Sequence, residues 1–203
     1  MIKAILFDLD GVLVEAREWH YKALNKALKL FGYELNLDEH LDQYDGLPTR
    51  VKLSKLTEEK KLPESLHQFI YTMKQQYTTE MINQYCRPEF QKQIMLKKLK
   101  QKGLKLACCS NAIRDTMDLM LKKSGLYDFF DLFLSNQDVG KNKPDPEIYI
   151  KALNELGLKP QEALIVEDNE YGIKAAQASG AEVIDVQGAE DVNLTLFEGR
   201  LEL

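Results

Sequence analysis

Five short apolar, strand-like runs constrain this chain more than any other feature: Lys3 to Phe7, Leu104 to Cys109, Leu132 to Leu134, Ala163 to Val166 and Glu182 to Val186. Helical periodicity fills most of the intervals between them. Helices are predicted near Glu89 to Gln101, Arg114 to Lys123, Pro146 to Leu156 and Tyr171 to Ser179, with Gly103, Gly125, Gly157 and Gly180 at their C-terminal ends. Strands alternating with helices imply an α/β architecture, a parallel sheet covered on both faces. Ligands of such sheets bind beyond the carboxyl ends of the strands.

One interval differs. From about Glu15 to Tyr85 the chain reads as helix after helix, with Trp19, Ala23, Ala27, Leu30 and Phe31, and later Phe69, Ile70, Met73, Tyr77 and Met81, at helical spacing. The expected organisation is therefore a core of residues 1–14 and 88–203, with an α-helical unit of residues 15–87 inserted after the first strand. Inserted there, it would sit over the strand ends as a lid hinged near Val14 to Ala16 and Cys86 to Pro88.

The strand ends carry the chemistry. Asp8 and Asp10 follow the first strand, and residues two apart on an extended chain point to one side while Gly11 lets the backbone turn sharply. Such a pair is either a solvated turn or a site where a divalent cation relieves repulsion and one carboxylate attacks an electrophile. Ser110 and Asn111 follow the second strand, Lys143 precedes Pro144, and Glu167 and Asp168 follow Val166. Each alone reads as a helix cap, a loop or a surface patch. Together they supply neutral donors, a fixed positive charge and further carboxylate oxygens, which phosphoryl transfer requires.

Composition narrows the partners. Charged residues at 29% and hydrophobic residues at 44% match an ordinary globular protein, and a net charge of −5 argues against nucleic acid. No apolar run approaches a membrane span and no signal-peptide pattern opens the chain, so a cytoplasmic protein without membrane association is expected. Cys86, Cys108 and Cys109 lack zinc-type spacing and are expected to be buried thiols, and His20, His40 and His67 are too dispersed to suggest a metal cluster.

With Asp8-x-Asp10-Gly11, Ser110-Asn111, Lys143-Pro144 and Glu167-Asp168 in this order, the chain resembles the haloacid dehalogenase superfamily, in its subgroup of β-phosphoglucomutase-like phosphatases with a helical cap. The resemblance runs over almost the whole chain. It implies a Rossmann-like core with sheet order 5-4-1-2-3. It also implies that Asp8 is the nucleophile forming an aspartyl-phosphate and Asp10 the acid/base, with Ser110, Asn111 and Lys143 binding phosphate. Mg²⁺ would be held by Asp8, the Asp10 backbone carbonyl and Asp168, with Glu167 as a supporting or direct partner. The substrate class implied is a small phosphorylated metabolite such as a sugar phosphate, handled by a monomer.

Four alternatives are weighed against this phosphatase expectation. Asp10 argues against a dehalogenase, which has no leaving alcohol to protonate, and the intact charged motifs argue against a catalytically silent binding protein. A phosphonate hydrolase would need a desolvated lysine, and nothing in the sequence marks Lys52, Lys55 or Lys74 as one. A sugar-phosphate mutase is the closest competitor, with His20 placed as in that group; yet Glu15-Ala16 stands at the hinge, where Ala16 lacks a hydroxyl with which to hold Asp10. Candidate substrate contacts in the helical unit are His20, Gly46, Arg50 and Lys74, with Arg114 from the core.

Overall fold

The computed structural model describes residues 1–201; the last two residues of the expected core segment, 202 and 203, lie outside the described residues. Five parallel strands form one sheet: β1 (Ala4–Phe7), β2 (Lys105–Cys109), β3 (Leu132–Leu134), β4 (Ala163–Glu167) and β5 (Glu182–Asp185). Their order is β3-β2-β1-β4-β5, the expected one, so the first strand lies at the centre between β2 and β4. Phe7 pairs with Cys108 on one side and with Val166 on the other, which brings the carboxyl ends of three strands level.

Alternation along β1 explains why both faces are covered. Ile5 and Phe7 enter an apolar cluster with Met95, Leu96 and Leu99 of α5 (Phe90–Gln101) and Met117, Met120 and Leu121 of α6 (Arg114–Ser124). Ala4 and Leu6 face the opposite cluster, built on α7 (Glu147–Leu156) and α8 (Glu170–Ala178). Cys108 and Cys109 split between the two clusters, so these adjacent thiols point away from each other. Burial pushes the Cys109 thiol up to about 12, which leaves it inert.

Between β1 and α5 lie α1 (Arg17–Lys29), α2 (Leu37–Gln43), α3 (Thr49–Lys60) and α4 (His67–Tyr85). They share a separate cluster built on Leu24, Leu28, Leu35, Tyr44, Leu53, Leu56 and Ile70. Ala16, Ile82 and Cys86, at the two ends of this segment, are instead packed into the core cluster of α5 and α6. The segment is thus anchored to the sheet at its ends and self-packed in its middle.

Two expectations within this segment fail. Leu30 and Phe69, placed on apolar helical faces by their spacing, are exposed. In α4 the buried positions are Ile70, Lys74, Thr78 and Ile82, one face at four-residue intervals that includes a lysine and a threonine. An apolar pattern does not detect a face that is part polar, and Leu30 lies just past the end of α1.

Candidate active site

The three adjacent strand ends gather the charged residues. Asp8 follows β1, and Glu167 ends β4. Lys143, from the loop before α7, lies between them, its Nζ 2.6 Å from Asp8 Oδ1 and 2.7 Å from Glu167 Oε1. A third hydrogen bond, 2.7 Å long, runs from the same ammonium to the Cys109 carbonyl at the end of β2, so one buried cation ties all three strands. Tyr149 of α7 donates its hydroxyl to the same Glu167 oxygen. Gly172 makes room for this arrangement: a Cβ there would lie 2.1 Å from the Glu167 carboxylate.

Negative charge exceeds positive in this cluster. Oxygens of Asp8, Glu167 and Asp168 lie within 4.8 Å of one another, with Lys143 the lysine among them. Burial opposes the Lys143 charge, but Asp8 and Glu167 outweigh it and keep the ammonium protonated. Burial raises the Asp8 carboxyl well above its ordinary range, and Glu167 and Asp168 raise it further against the pull of Lys143. Asp168 is pushed up to about 7, first by burial and then by Glu167. Arg17, which lies 3.7 Å from Asp168 and is itself paired with Glu15, offsets part of that shift.

Asp10 occupies different surroundings. Its Oδ1 lies 2.8 Å from His20 Nε2, and His20 Nδ1 lies 3.2 Å from the Lys74 ammonium. Burial works to raise the Asp10 carboxyl, but His20, and at longer range Lys74 and Lys52, hold it below its ordinary value. These groups line a cavity of about 360 Å³ between the helical segment and the strand ends, together with Gly46, Arg50 and Asn111. Asp8, Ser110 and Lys143 are buried, and none of them lines its wall.

The other predicted residues have specific local work. Ser110 accepts a hydrogen bond from the Ala112 amide through Oγ. Asn111 accepts from the Lys143 amide and donates to the Gly46 carbonyl at 3.0 Å, linking the loops after β2 and before α7 to the loop before α3. Arg114 does not line the cavity. Its guanidinium binds Asp138 at 2.6 Å and the Phe133 carbonyl at 3.0 Å, a local tie between α6 and the loop after β3.

Sequence reasoning left some participants unnamed and others without a mark of their burial. Tyr149 looks like one more apolar helical position, and its hydroxyl's partner cannot be read from spacing. Arg17 follows the hinge without a motif. Lys52 and Lys74 carried no mark of desolvation, yet both are buried, with ammonium groups lowered by burial to about 8 and about 7.

Residues 5–186 match the family described as haloacid dehalogenase-like hydrolase. The chain belongs to that family. Among curated relatives of this hydrolase, the phosphoglycolate phosphatase of Aquifex aeolicus is 32% identical over 88% of this chain and 82% of its own length. The pyrophosphatase PpaX of Bacillus pumilus is 30% identical over 98% and 89%. In fold the hydrolase is similar to β-phosphoglucomutase from Clostridium difficile, with a TM-score of 0.84 at 21% identity, covering 98% of this chain and 96% of that one.

The closed contact between loops is testable. Gly46 has φ +70°, and a Cβ there would lie 2.8 Å from Asn169 Oδ1, so Gly46→Val should keep the helical segment from seating on Asn111 and Asn169. Assayed well below the variant's thermal midpoint, which a β-branched residue at positive φ lowers, kcat/KM should fall at least about tenfold, the scale at which misplaced catalytic geometry costs rate. Wild-type kinetics in the variant would show that this contact does not matter for turnover.

Proposed function

We propose that this hydrolase is a Mg²⁺-dependent phosphatase acting on a small phosphorylated metabolite through an aspartyl-phosphate on Asp8. The observation that carries the reading is the separation of two aspartates by environment: Asp8 is buried against Lys143, while Asp10 faces the cavity on His20. Different surroundings for paired carboxylates allow one to act as nucleophile and the other as proton carrier.

In this reading an Asp8 oxygen attacks phosphorus as the bond to the ester oxygen breaks, and Asp10 gives its proton to the departing oxygen. Asp10 then takes a proton from the water that attacks the phospho-enzyme, which releases phosphate and restores Asp8. An arriving phosphoryl dianion raises the proton affinity of Asp10, and the line from Lys74 through His20 supports proton exchange there. Lys143, whose three hydrogen bonds go to Asp8, Glu167 and the Cys109 carbonyl, supplies positive charge beside the phosphoryl group, and the Ser110–Asn111 turn donates to its oxygens, on which the transition-state charge is spread.

The acidic residues fit a hard divalent cation. Three carboxylates against Lys143 and Arg17, the latter shared with Glu15, leave net negative charge. Asp8, Asp168 and the Asp10 carbonyl would hold the ion, while Glu167, already accepting from Lys143 and Tyr149, would orient the lysine. Phosphatases of this family generally use Mg²⁺, which when bound supplies positive charge to the phosphoryl oxygens.

Helices α1–α4 serve in this proposal as the lid, part of the unit 15–87 on the core of 1–14 and 88–203, and Asn111 and Asn169 are where it seats. We place the enzyme in the cytoplasm as a monomer without nucleic-acid or membrane partners. No helix among the described residues is long and apolar enough to cross a membrane. The likeness to a mutase lies in the fold alone. Ala16 is fully buried and offers no hydroxyl to Asp10, so we favour water over a second sugar as the acceptor.

The test is phosphate release from a panel of small esters with and without Mg²⁺. We expect release with Mg²⁺, and a loss of at least about 10⁴-fold in Asp8→Asn, as when a covalent nucleophile is removed. Full activity of Asp8→Asn would contradict the reading. So would stoichiometric conversion of β-glucose 1-phosphate to glucose 6-phosphate without phosphate release.

Asp168, together with Asp8, whose carboxyl is raised as well, makes metal binding depend on pH. The Asp168 carboxyl, at about 7 before the ion binds, is protonated on the acid side, and a proton there excludes the cation. Mg²⁺ affinity should therefore weaken as pH falls below 7, by up to about tenfold per unit for one displaced proton. Calorimetric titration from pH 5 to 8 checks this; an affinity flat across that range would remove Asp168 from the ligand set.

A further inference from the structure

One group in the cavity wall acts on the chemistry above only at long range, through its charge on Asp10. Lys52 of α3 is 5% exposed and lines the same cavity as Asp10, His20 and Arg50. Among the described residues no carboxylate lies within ion-pair distance of its ammonium, and the hydrogen-bond partner it has is His40 Nε2, 3.4 Å away. Asp45 and Asp10 favour its charge from farther off, but burial lowers it to about 8. Taking an ammonium out of water without an anion beside it is costly, and buried charges are ordinarily paired.

His40 is arranged to leave Lys52 a donor toward the cavity. The imidazole is fully buried on α2, with Tyr21 set edge-on at 5.3 Å, and burial together with Lys52 lowers it to about 3. It is therefore neutral, and Nε2 accepts from the ammonium, which fixes one Lys52 proton and leaves two for the cavity. Lys74 shares this missing-carboxylate character but is engaged with His20 in the Asp10 line. Arg50 stands on the same wall, its guanidinium 5.0 Å over the Tyr71 ring. The wall facing the strand ends carries Arg50, Lys52 and Lys74 against one carboxylate of the helical segment, Asp45, which makes no ion pair with Lys52 among the described residues.

We propose that Lys52, positioned by His40, is a specificity-determining residue that binds a second anionic group, a carboxylate or a further phosphoryl group, on the phosphorylated substrate. The transferring phosphoryl group occupies the Asp8–Lys143 end of the site, and the second anion supplies at the other end the partner that Lys52 lacks within the protein. His40 acts through Lys52 and touches no substrate. This inference rests on the phosphatase reading and adds to it the charge of the substrate's far end.

The experiment uses the full chain with Mg²⁺ and two matched pairs of esters. One pair is 2-phosphoglycolate against 2-hydroxyethyl phosphate, which differ in a carboxylate; the other is fructose 1,6-bisphosphate against fructose 6-phosphate, which differ in a phosphoryl group. In the wild type at least one member bearing the second anion should be preferred, and the pair showing it identifies that anion. Lys52→Met should lower the ratio of kcat/KM with and without the second anion for that pair at least about tenfold through KM, the scale of one charge-assisted hydrogen bond. Lys52→Arg should restore much of the ratio, and His40→Phe, which fills the space without an acceptor, should lower it in the same direction. Because Lys52→Met removes a buried charge at similar volume, it should fold at least as stably as the wild type. A ratio unchanged by Lys52→Met, or no preference in either pair, overturns the inference while phosphate release from the esters without a second anion leaves the phosphatase reading standing. Release from none of the four overturns both.

Discussion

A single buried ammonium holds this site together. Lys143 joins Asp8, Glu167 and the Cys109 carbonyl, one group from the end of each of three neighbouring strands, at 2.6–2.7 Å. A buried lysine with two carboxylates and a carbonyl is fully paired, whereas either carboxylate without it would be a buried unpaired charge. The central position of β1 makes this possible, because only a strand flanked on both sides can present its end to two neighbours at once. Gly172 and Tyr149 belong to the same requirement: one clears space for the Glu167 carboxylate and the other hydrogen-bonds it from α7.

From that fixed point the remainder divides into two electrostatic halves. The strand ends carry three clustered carboxylates and one lysine, and the helical segment carries Arg50, Lys52 and Lys74 on the cavity wall. His20 lies between the halves, bonded to Asp10 of the core and adjacent to Lys74 of the segment. A phosphate ester entering the cavity would meet positive charge from the segment while its phosphoryl group approaches Lys143. The Asn111–Gly46 hydrogen bond and the close fit of Gly46 to Asn169 keep these halves together.

What was legible in the sequence is what local rules encode. Strands β1, β2 and β4 are apolar runs ending in Asp, Ser and Glu, so both the sheet and the position of its chemistry follow from periodicity and turn residues. Asp8, Asp10, Lys143, Glu167 and Asp168 were thereby all placed near one another from spacing and motif order. Contacts set by tertiary packing were not legible. Arg114 stands at the start of α6 like a substrate anchor, yet Asp138, many residues later, claims its guanidinium. Lys52 and His40 lie on different helices, and nothing in either helix alone reveals that they bury each other. The polar line through Lys74 and Thr78 on α4 escapes any count of apolar positions, because the cavity, and not the core, gives Lys74 its place.

In the proposed reaction Asp8 carries the phosphoryl group during turnover, and that group can be trapped. An ester labelled in its phosphoryl group is mixed with enzyme and Mg²⁺, quenched in acid within the first turnover and digested with trypsin. Label is expected on the peptide from Ala4 to Arg17, located to Asp8 by fragmentation, released by hydroxylamine and absent from Asp8→Asn. Label on any other residue, or rapid turnover with Asp8 never labelled, would contradict it.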